Sequence, residues 1–313
     1  MLRYLVYMLR IRRVEFRIAE IPILAIPLLI LLRDTAPLKT FQLWEGVFIF
    51  FLLFAFGDMI NCLADRDLAA IYKPHLSEAV YGLGVEFVTV QVFATAAVAL
   101  VLSFHLSWSM NRWLIFVLVA IGLLLGAAYS VKPVQLKGRG LAQLICLWLI
   151  IFVGPMLFVS LLVDTFPSLS VIIFAAAYGT LQMGIILINT AEDYPEDLNA
   201  NITTSIVSLG LHRGIGLAFW LVVIGAAGVL TSLIWMLWQR GSEWIWALAM
   251  LPAIVACIFV IVSVSGLRNL ISGAGLEESI RTVKHAARRV PLWLTIVPWS
   301  VLCATWALFC VLS

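Results

Sequence analysis

Charge is scarce in this chain of 313 residues, of which 12% are Asp, Glu, Lys or Arg, so the places where acids gather are the first to search for chemistry. Two knots stand out. One runs from Asp58 through Asn61 and Asp65 to Asp67; the other runs from Asn189 through Glu192 and Asp193 to Glu196 and Asp197. On a helix that turns about 100° per residue, Asn61 and Asp65 lie within about 40° of each other and Asp58 joins their face, whereas Asp67 is turned roughly 200° from Asp65. In the second knot Asn189, Asp193 and Asp197 recur at every fourth residue, a stripe that persists only if Pro195 does not interrupt the helix. The knots are 128 residues apart, Asn61 to Asn189 and Asp65 to Asp193.

Carboxylates at membrane depth need a reason. An unpaired one costs about 2.5–3.5 kcal/mol at a helix centre and less near the interface, and several aimed at one cavity repel each other. A divalent cation relieves both problems. Mg²⁺ prefers hard oxygen ligands, uses one or two carboxylates and completes its shell with water and substrate phosphate. Two opposed acidic faces, with Asn61, Asp65, Asn189, Asp193 and Asp197 as candidate ligands, therefore suit a Mg²⁺–diphosphate complex. A third element points the same way: Tyr129 and Ser130 lead into a turn carrying Lys132, Lys137 and Arg139 with no acid. Such cations hold phosphate oxygens and stabilise a departing diphosphate. Two other readings use the same residues. In one the acids are ordinary interfacial charges; in the other they mark the path of coupled ions in a transporter. A transporter needs polar groups continuing through the bilayer, and only Glu86 reads as buried in mid-span.

The elements that must position these groups are membrane helices. Hydrophobic residues make up 63% of the chain and mean hydropathy is +1.08, where a soluble domain would carry roughly a quarter charged residues. Nine stretches approach the roughly 20 apolar residues that a crossing requires: 18–33, 43–64, 80–104, 113–131, 141–163, 168–190, 214–238, 244–265 and 292–312. Without linkers or low-complexity segments, residues 1–313 read as a single all-α integral membrane domain. A cytoplasmic N-terminus puts 16 of the 20 Lys and Arg residues on the inner side and leaves only Arg33, Lys39, Arg112 and Arg240 outside. Both knots then close outside-to-inside helices, and their common spacing implies two parallel repeats of a helical bundle around a central cavity. The basic N-terminus followed by an apolar run reads as a first anchor, not a cleaved leader. Cys62, Cys146, Cys257, Cys303 and Cys310 form no CxxC pair and read as apolar packers, and the isolated histidines argue against a zinc site. The sequon at Asn201 falls on the inner side. The pI near 8.6 reflects the inner-side bias and implies no nucleic-acid partner.

The three elements, in this order, resemble the UbiA superfamily of membrane prenyltransferases, whose members have nine transmembrane helices and two aspartate-rich motifs at the cytoplasmic ends of helices 2 and 6. The segment from Asn61 through Asp65 to Ala69, followed by Lys73-Pro74, is similar to the family's NDxxDxxxD motif and its KP tail; Asp193 to Asp197 is similar to DxxxD; Tyr129 to Lys137 is similar to YSxPPxxLK. The resemblance implies transfer of a prenyl group from an isoprenoid diphosphate to a hydrophobic, often aromatic or lipid, acceptor in a bacterial inner membrane or its equivalent, with the site on the cytoplasmic side. It implies Mg²⁺ held by Asn61, Asp65, Asp193 and Asp197, with Asp65, Asp193 and Tyr129 in the reaction. Lys132, Lys137, Arg139, Arg66 and Lys73 would then neutralise the diphosphate, with Arg213 as a further candidate. A terpene cyclase working without an acceptor is the alternative within the superfamily. Two departures stand out: Cys62 replaces the acid usual after the Asn, and Ala69 stands where the motif ends in Asp. Alanine cannot bind Mg²⁺, so the chain is either a divergent member with one ligand fewer or one impaired at this position. Between Arg281 and Arg289 the basic spacing reads as an interfacial helix on anionic headgroups.

Overall fold

The computed structural model describes residues 2–239 and 248–310, a succession of helices. Arg240, the first four positions of the expected span 244–265 and the last two of 292–312 lie outside the described residues. In chain order the helices are α1 (Leu2–Ile11), α2 (Arg17–Leu31), α3 (Phe41–Ala64), α4 (Arg66–Tyr72), α5 (Pro74–Leu83), α6 (Val85–Met110) and α7 (Leu114–Ser130). There follow α8 (Leu141–Val163), α9 (Leu169–Glu192), α10 (Tyr194–Asn199), α11 (Ser205–Leu209), α12 (Leu211–Gln239), α13 (Leu251–Ile271), α14 (Leu276–Ala287) and α15 (Val290–Cys310). Among the described residues, α3, α6, α8, α9, α12, α13 and α15 are the 7 helices long and apolar enough to cross a membrane. The shorter apolar α7 and the 15-residue α2, which contains Pro22 and Pro27, complete the bundle.

Local chemistry explains where the helices stop. The expected span 80–104 begins later, because Gly84 adopts φ 93° and separates α5 from α6. As a consequence Glu86 sits in the first turn of α6 and is exposed, not buried in mid-span. Among the described residues, the carboxylates buried within spans are Glu20 and Glu45. Glu45 pairs with His105 at 2.8 Å near the end of α3 opposite the acids. Inside α8 the ladder widens into a π segment over Trp148–Val153, just before Pro155, which has no amide hydrogen to donate.

The two motif-bearing helices have the same construction. Each is 24 residues long; Thr40 caps α3 by accepting from the Leu43 amide, and Ser168 caps α9 by accepting from the Val171 amide. Each ends on an aspartate with ψ near 0°: Asp65 at φ −95°, ψ 3° and Asp193 at φ −81°, ψ 3°. A short helix follows each aspartate. Every one of these landmarks is displaced by 128 residues, and the same offset pairs Ala69 with Asp197. The most extensive helix pairing in the bundle is that of α9 with α12. A Cβ on Gly225 would overlap the Leu181 backbone, and one on Gly184 would lie 2.8 Å from the Ala218 carbonyl oxygen, so these glycines permit the approach.

Candidate active site

The acidic segments meet at one end of the bundle, joined by lysines. Asp65, the residue on which α3 stops, accepts from the Lys137 ammonium. One turn earlier, Asn61 accepts from the Ser130 hydroxyl at 3.4 Å, which ties α3 to the end of α7. Lys137 comes from a single 3₁₀ turn, Leu136–Gly138, and is buried despite its charge. Burial brings its ammonium down to about 8, against the opposing influence of Asp197.

On the second segment the helix stops at Asp193, two residues before Pro195 and in the same way as at Asp65. Pro195 occupies the first turn of α10, and Asn189, Asp193 and Asp197 are not one continuous stripe. Asn189 stays on α9 and is exposed. Asp193 accepts from the Lys73 ammonium at 3.1 Å. Burial pushes the Asp197 carboxyl up to about 6; nearby Asp193 adds to the effect, and a hydrogen bond from Thr204 opposes it.

The five expected phosphate cations thus divide. Lys73 and Lys137 converge on the acids. Lys132 and Arg139 are exposed on the basic turn, where Arg139 donates to the Pro133 carbonyl at 3.0 Å. Arg66 donates back to the Leu63 carbonyl at 2.8 Å and lies 3.8 Å from Asp67. The neighbouring acids do not stand in for the one missing at 69: Asp58 accepts from Arg17 at 2.8 Å, and Asp67, largely exposed, accepts from the Tyr81 hydroxyl. Ala69 itself is buried in the apolar core.

Two positions escaped the reading of the sequence. Gln143 donates to the Tyr129 hydroxyl at 3.5 Å and, through its oxygen, accepts from the Ser205 amide at 2.8 Å. The Ser205 hydroxyl lies 2.9 Å from that same oxygen and 3.0 Å from the Gly140 carbonyl, while the Gly140 amide donates to Thr203 at 2.7 Å. The basic turn and the loop after the second acidic segment are therefore fastened together. A lone Gln and a Ser carry no periodic signal that would have marked them. The Lys284 ammonium, expected at headgroups, lies 3.5 Å from Glu196, so α14 braces the second segment. The expected basic interfacial stretch thus has a protein contact.

The donor set is chemically right for a hard divalent cation, with the carboxylates of Asp65 and Asp193 drawn to one end of the bundle by Lys137 and Lys73. Among the described residues, however, no three His, Cys, Asp or Glu side chains group closely enough to hold a metal unaided. Mg²⁺ tolerates this, because substrate phosphate and water fill its remaining positions.

Comparison with known proteins identifies the family and the fold. The model of the UbiA prenyltransferase family matches residues 21–269. A digeranylgeranylglyceryl phosphate synthase shares the fold at 17% identity and a TM-score of 0.67, over 97% of this chain and 99% of that one. A UbiA homologue from Archaeoglobus fulgidus, bound to DMAPP and Mg²⁺, does so at 16% identity and a TM-score of 0.62, over 93% and 98% of the two chains; its complex with GPP and Mg²⁺ gives 0.61. No curated protein gives a significant sequence match.

Proposed function

The chain belongs to the UbiA prenyltransferase family, and from that premise we propose that it transfers a prenyl group from an isoprenoid diphosphate to a hydrophobic acceptor, with Mg²⁺, in the cleft between the two acidic segments. The observation that carries this reading is the meeting of the two acidic segments at one end of the bundle, with Lys137 on Asp65 and Lys73 crossing to Asp193. Solved UbiA homologues with a prenyl diphosphate and Mg²⁺ bound support it.

In this reading Asn61, Asp65, Asp193 and Asp197 hold Mg²⁺, with Asn189 at the margin of the set. When bound, the ion neutralises the diphosphate and makes it a better leaving group. The chain's own groups do the rest. Lys137, already desolvated, turns from Asp65 towards a diphosphate oxygen, where an ammonium in a low-dielectric site acts strongly. Lys73 approaches from the opposite acidic segment. The Lys132 and Arg139 side chains, exposed on the basic turn, meet the diphosphate as it enters or leaves. Tyr129, held through its hydroxyl by Gln143, offers its ring face to the allylic cation left when the C–O bond breaks. The apolar helix faces exclude water from that cation.

The same reading places nine crossings in the membrane, with α2 and α7 joining the seven long helices, the N-terminus and acidic end in the cytoplasm, and α3 and α9 as equivalent members of two repeats. The 128-residue offset of caps, lengths and terminal aspartates supports the repeats, and the inner-side excess of Lys and Arg supports the orientation. Incubating purified protein with Mg²⁺ and prenyl diphosphates of increasing length, with and without candidate acceptors, tests the proposal. Prenylated products by mass, with diphosphate release that needs both Asp65 and Asp197, are expected. Release without any acceptor, giving a cyclic hydrocarbon, would move the chain to the cyclase class; folded protein that releases no diphosphate from any donor would end the enzyme reading.

A further inference from the structure

A second polar cluster, which the reaction proposed above does not use, lies among α2, α3 and α6. Arg17, in the first turn of α2, donates to Glu20 on its own helix and, at 2.8 Å, to Asp58 on α3. The same guanidinium reaches the Arg12 carbonyl at the elbow between α1 and α2, and Arg12 in turn donates to Gln91 of α6 at 2.7 Å. These residues form one hydrogen-bonded network. It begins about 10 Å below the acidic end, because Asp58 precedes Asp65 by two helical turns on the same face of α3. The network is incomplete. Glu20 is 5% exposed, and among the described residues its second carboxylate oxygen has no hydrogen-bond partner; nor do the Gln91 amide nitrogen and the Arg13 Nε, which are also out of solvent. Arg17 does not supply the missing donor, since its terminal nitrogens are shared among Glu20, Asp58 and the Arg12 carbonyl. Buried polar atoms left unpaired cost stability, and in a membrane bundle they mark places that receive polar groups.

We propose that this cluster binds the acceptor, and that it does so through a hydroxyl group: the acceptor is a neutral alcohol or phenol on an apolar body, not a carboxylate. The inference rests on the function proposed above and names its second substrate by class. The unpaired atoms are of both kinds, an acceptor on Glu20 and donors on Gln91 and Arg13. A hydroxyl matches such a set, because it donates one hydrogen bond and accepts others. A carboxylate accepts only, and here it would be buried beside Glu20 and Asp58, two like charges that share a single guanidinium. The stripe of α3 that carries Asp58 continues to Asn61 and Asp65, so a molecule held by its head at Glu20 is within two helical turns of the cleft. Ile18 and Ile21, next to Arg17 and Glu20 in sequence, are exposed and offer its apolar body a surface at the same depth.

The test compares two ligands that differ in the head alone. Full-length protein in phosphatidylcholine nanodiscs is titrated with tritiated 4-dodecylphenol, and 4-dodecylbenzoate competes for the site. The native protein is expected to prefer the phenol by at least about 10-fold, because the benzoate brings a third negative charge to the cluster. E20Q keeps an oxygen for Arg17 but turns the free acceptor into a donor. It should lose about 10- to 100-fold in phenol affinity, the range for a hydrogen bond to a charged group, and should bind the benzoate better than the native protein does. Q91L should lose less phenol affinity and gain none for the benzoate; should E20Q fail to fold, Q91L and the native preference decide alone. With Mg²⁺ and prenyl diphosphates the native protein should prenylate the phenol, and E20Q should do so with a raised KM. A native preference for the benzoate, or phenol affinity unchanged in E20Q, would overturn the inference and leave the prenyltransferase reading standing. Displacement of the phenol by phosphatidylglycerol, with transfer to other acceptors indifferent to E20Q, would give the site to a lipid headgroup and overturn the acceptor role. Folded protein that releases no diphosphate from any donor, whatever it binds, would overturn both.

Discussion

At the first acidic corner the residue four places after the terminal aspartate is Ala69, buried among apolar side chains; at the second corner the equivalent residue is Asp197, half-buried. Up to that point the corners are alike: equal helix length, a hydroxyl cap at the far end, an aspartate with the same backbone turn. Their continuations differ. After Asp65 the chain resumes an α-helix that packs on α5 and sends Lys73 across the cleft. After Asp193, Pro195 starts a separate short helix, and the loop beyond it is fastened to the basic turn through Ser205, Gln143 and Gly140. Two similar helix ends thus serve different parts of one site. The first contributes one carboxylate and a cation, the second two carboxylates and a rigid support.

The sharpest way to break this comparison is to remove an acid from each corner. D65N and D197N should each lower the rate of diphosphate release by about 100- to 1,000-fold, the scale for losing one preorganised electrostatic group. If only one of them does, the corners do not share an ion. A69D alone should destabilise the fold by about 1–3 kcal/mol, because it places an unpartnered carboxyl in the apolar core; thermal melting in detergent reads this, and an unchanged midpoint would show the residue to face the cleft. Q143A leaves the Ser205 amide without its acceptor and should cost about 1–3 kcal/mol. S130A, which breaks only the long contact to Asn61, should cost less than that in the same measurement.

A pH series sharpens the electrostatic side. Asp197 titrates in the folded protein at about 6, above the ordinary carboxyl value, so the native state binds more protons than the unfolded chain on the acid side of 6 and this group's contribution to stability falls as pH rises towards 6. Lys137 titrates at about 8, below the ordinary ammonium value, so the unfolded chain binds more protons above 8 and stability from this group rises with pH there. The two together predict a shallow minimum in the melting temperature of the metal-free protein between about pH 6 and pH 8. D197N should flatten its acid limb and K137M its alkaline limb; a minimum unchanged in both variants would refute the assignment. The smallest effect is expected for K284M, which loses an exposed pair with Glu196 worth at most about 1 kcal/mol.

Several features of this protein are local and were legible before any coordinates. Apolar runs of span length, aspartates and asparagines at fourfold spacing, the repeat of that spacing 128 residues later and a basic turn free of acids all follow from short-range pattern. Periodicity also turned Asp67 away from Asp65, as the fold does. It failed where a break intervened. Gly84 moved the start of α6 and brought Glu86 to the surface, and the helix end at Asp193 separated Asp197 from the stripe that begins at Asn189.

What tertiary structure alone decided is which charge meets which. Of the five cations the sequence offered, Lys73 and Lys137 reach Asp193 and Asp65, Gln143 and Ser205 joined the site without any sequence signal, and Lys284, expected at headgroups, meets Glu196. The reason is physical: helical spacing fixes the direction of a side chain relative to its own axis, whereas its partner depends on how separate helices pack, and that is settled by close approaches such as Gly225 on Leu181 far from the charges themselves.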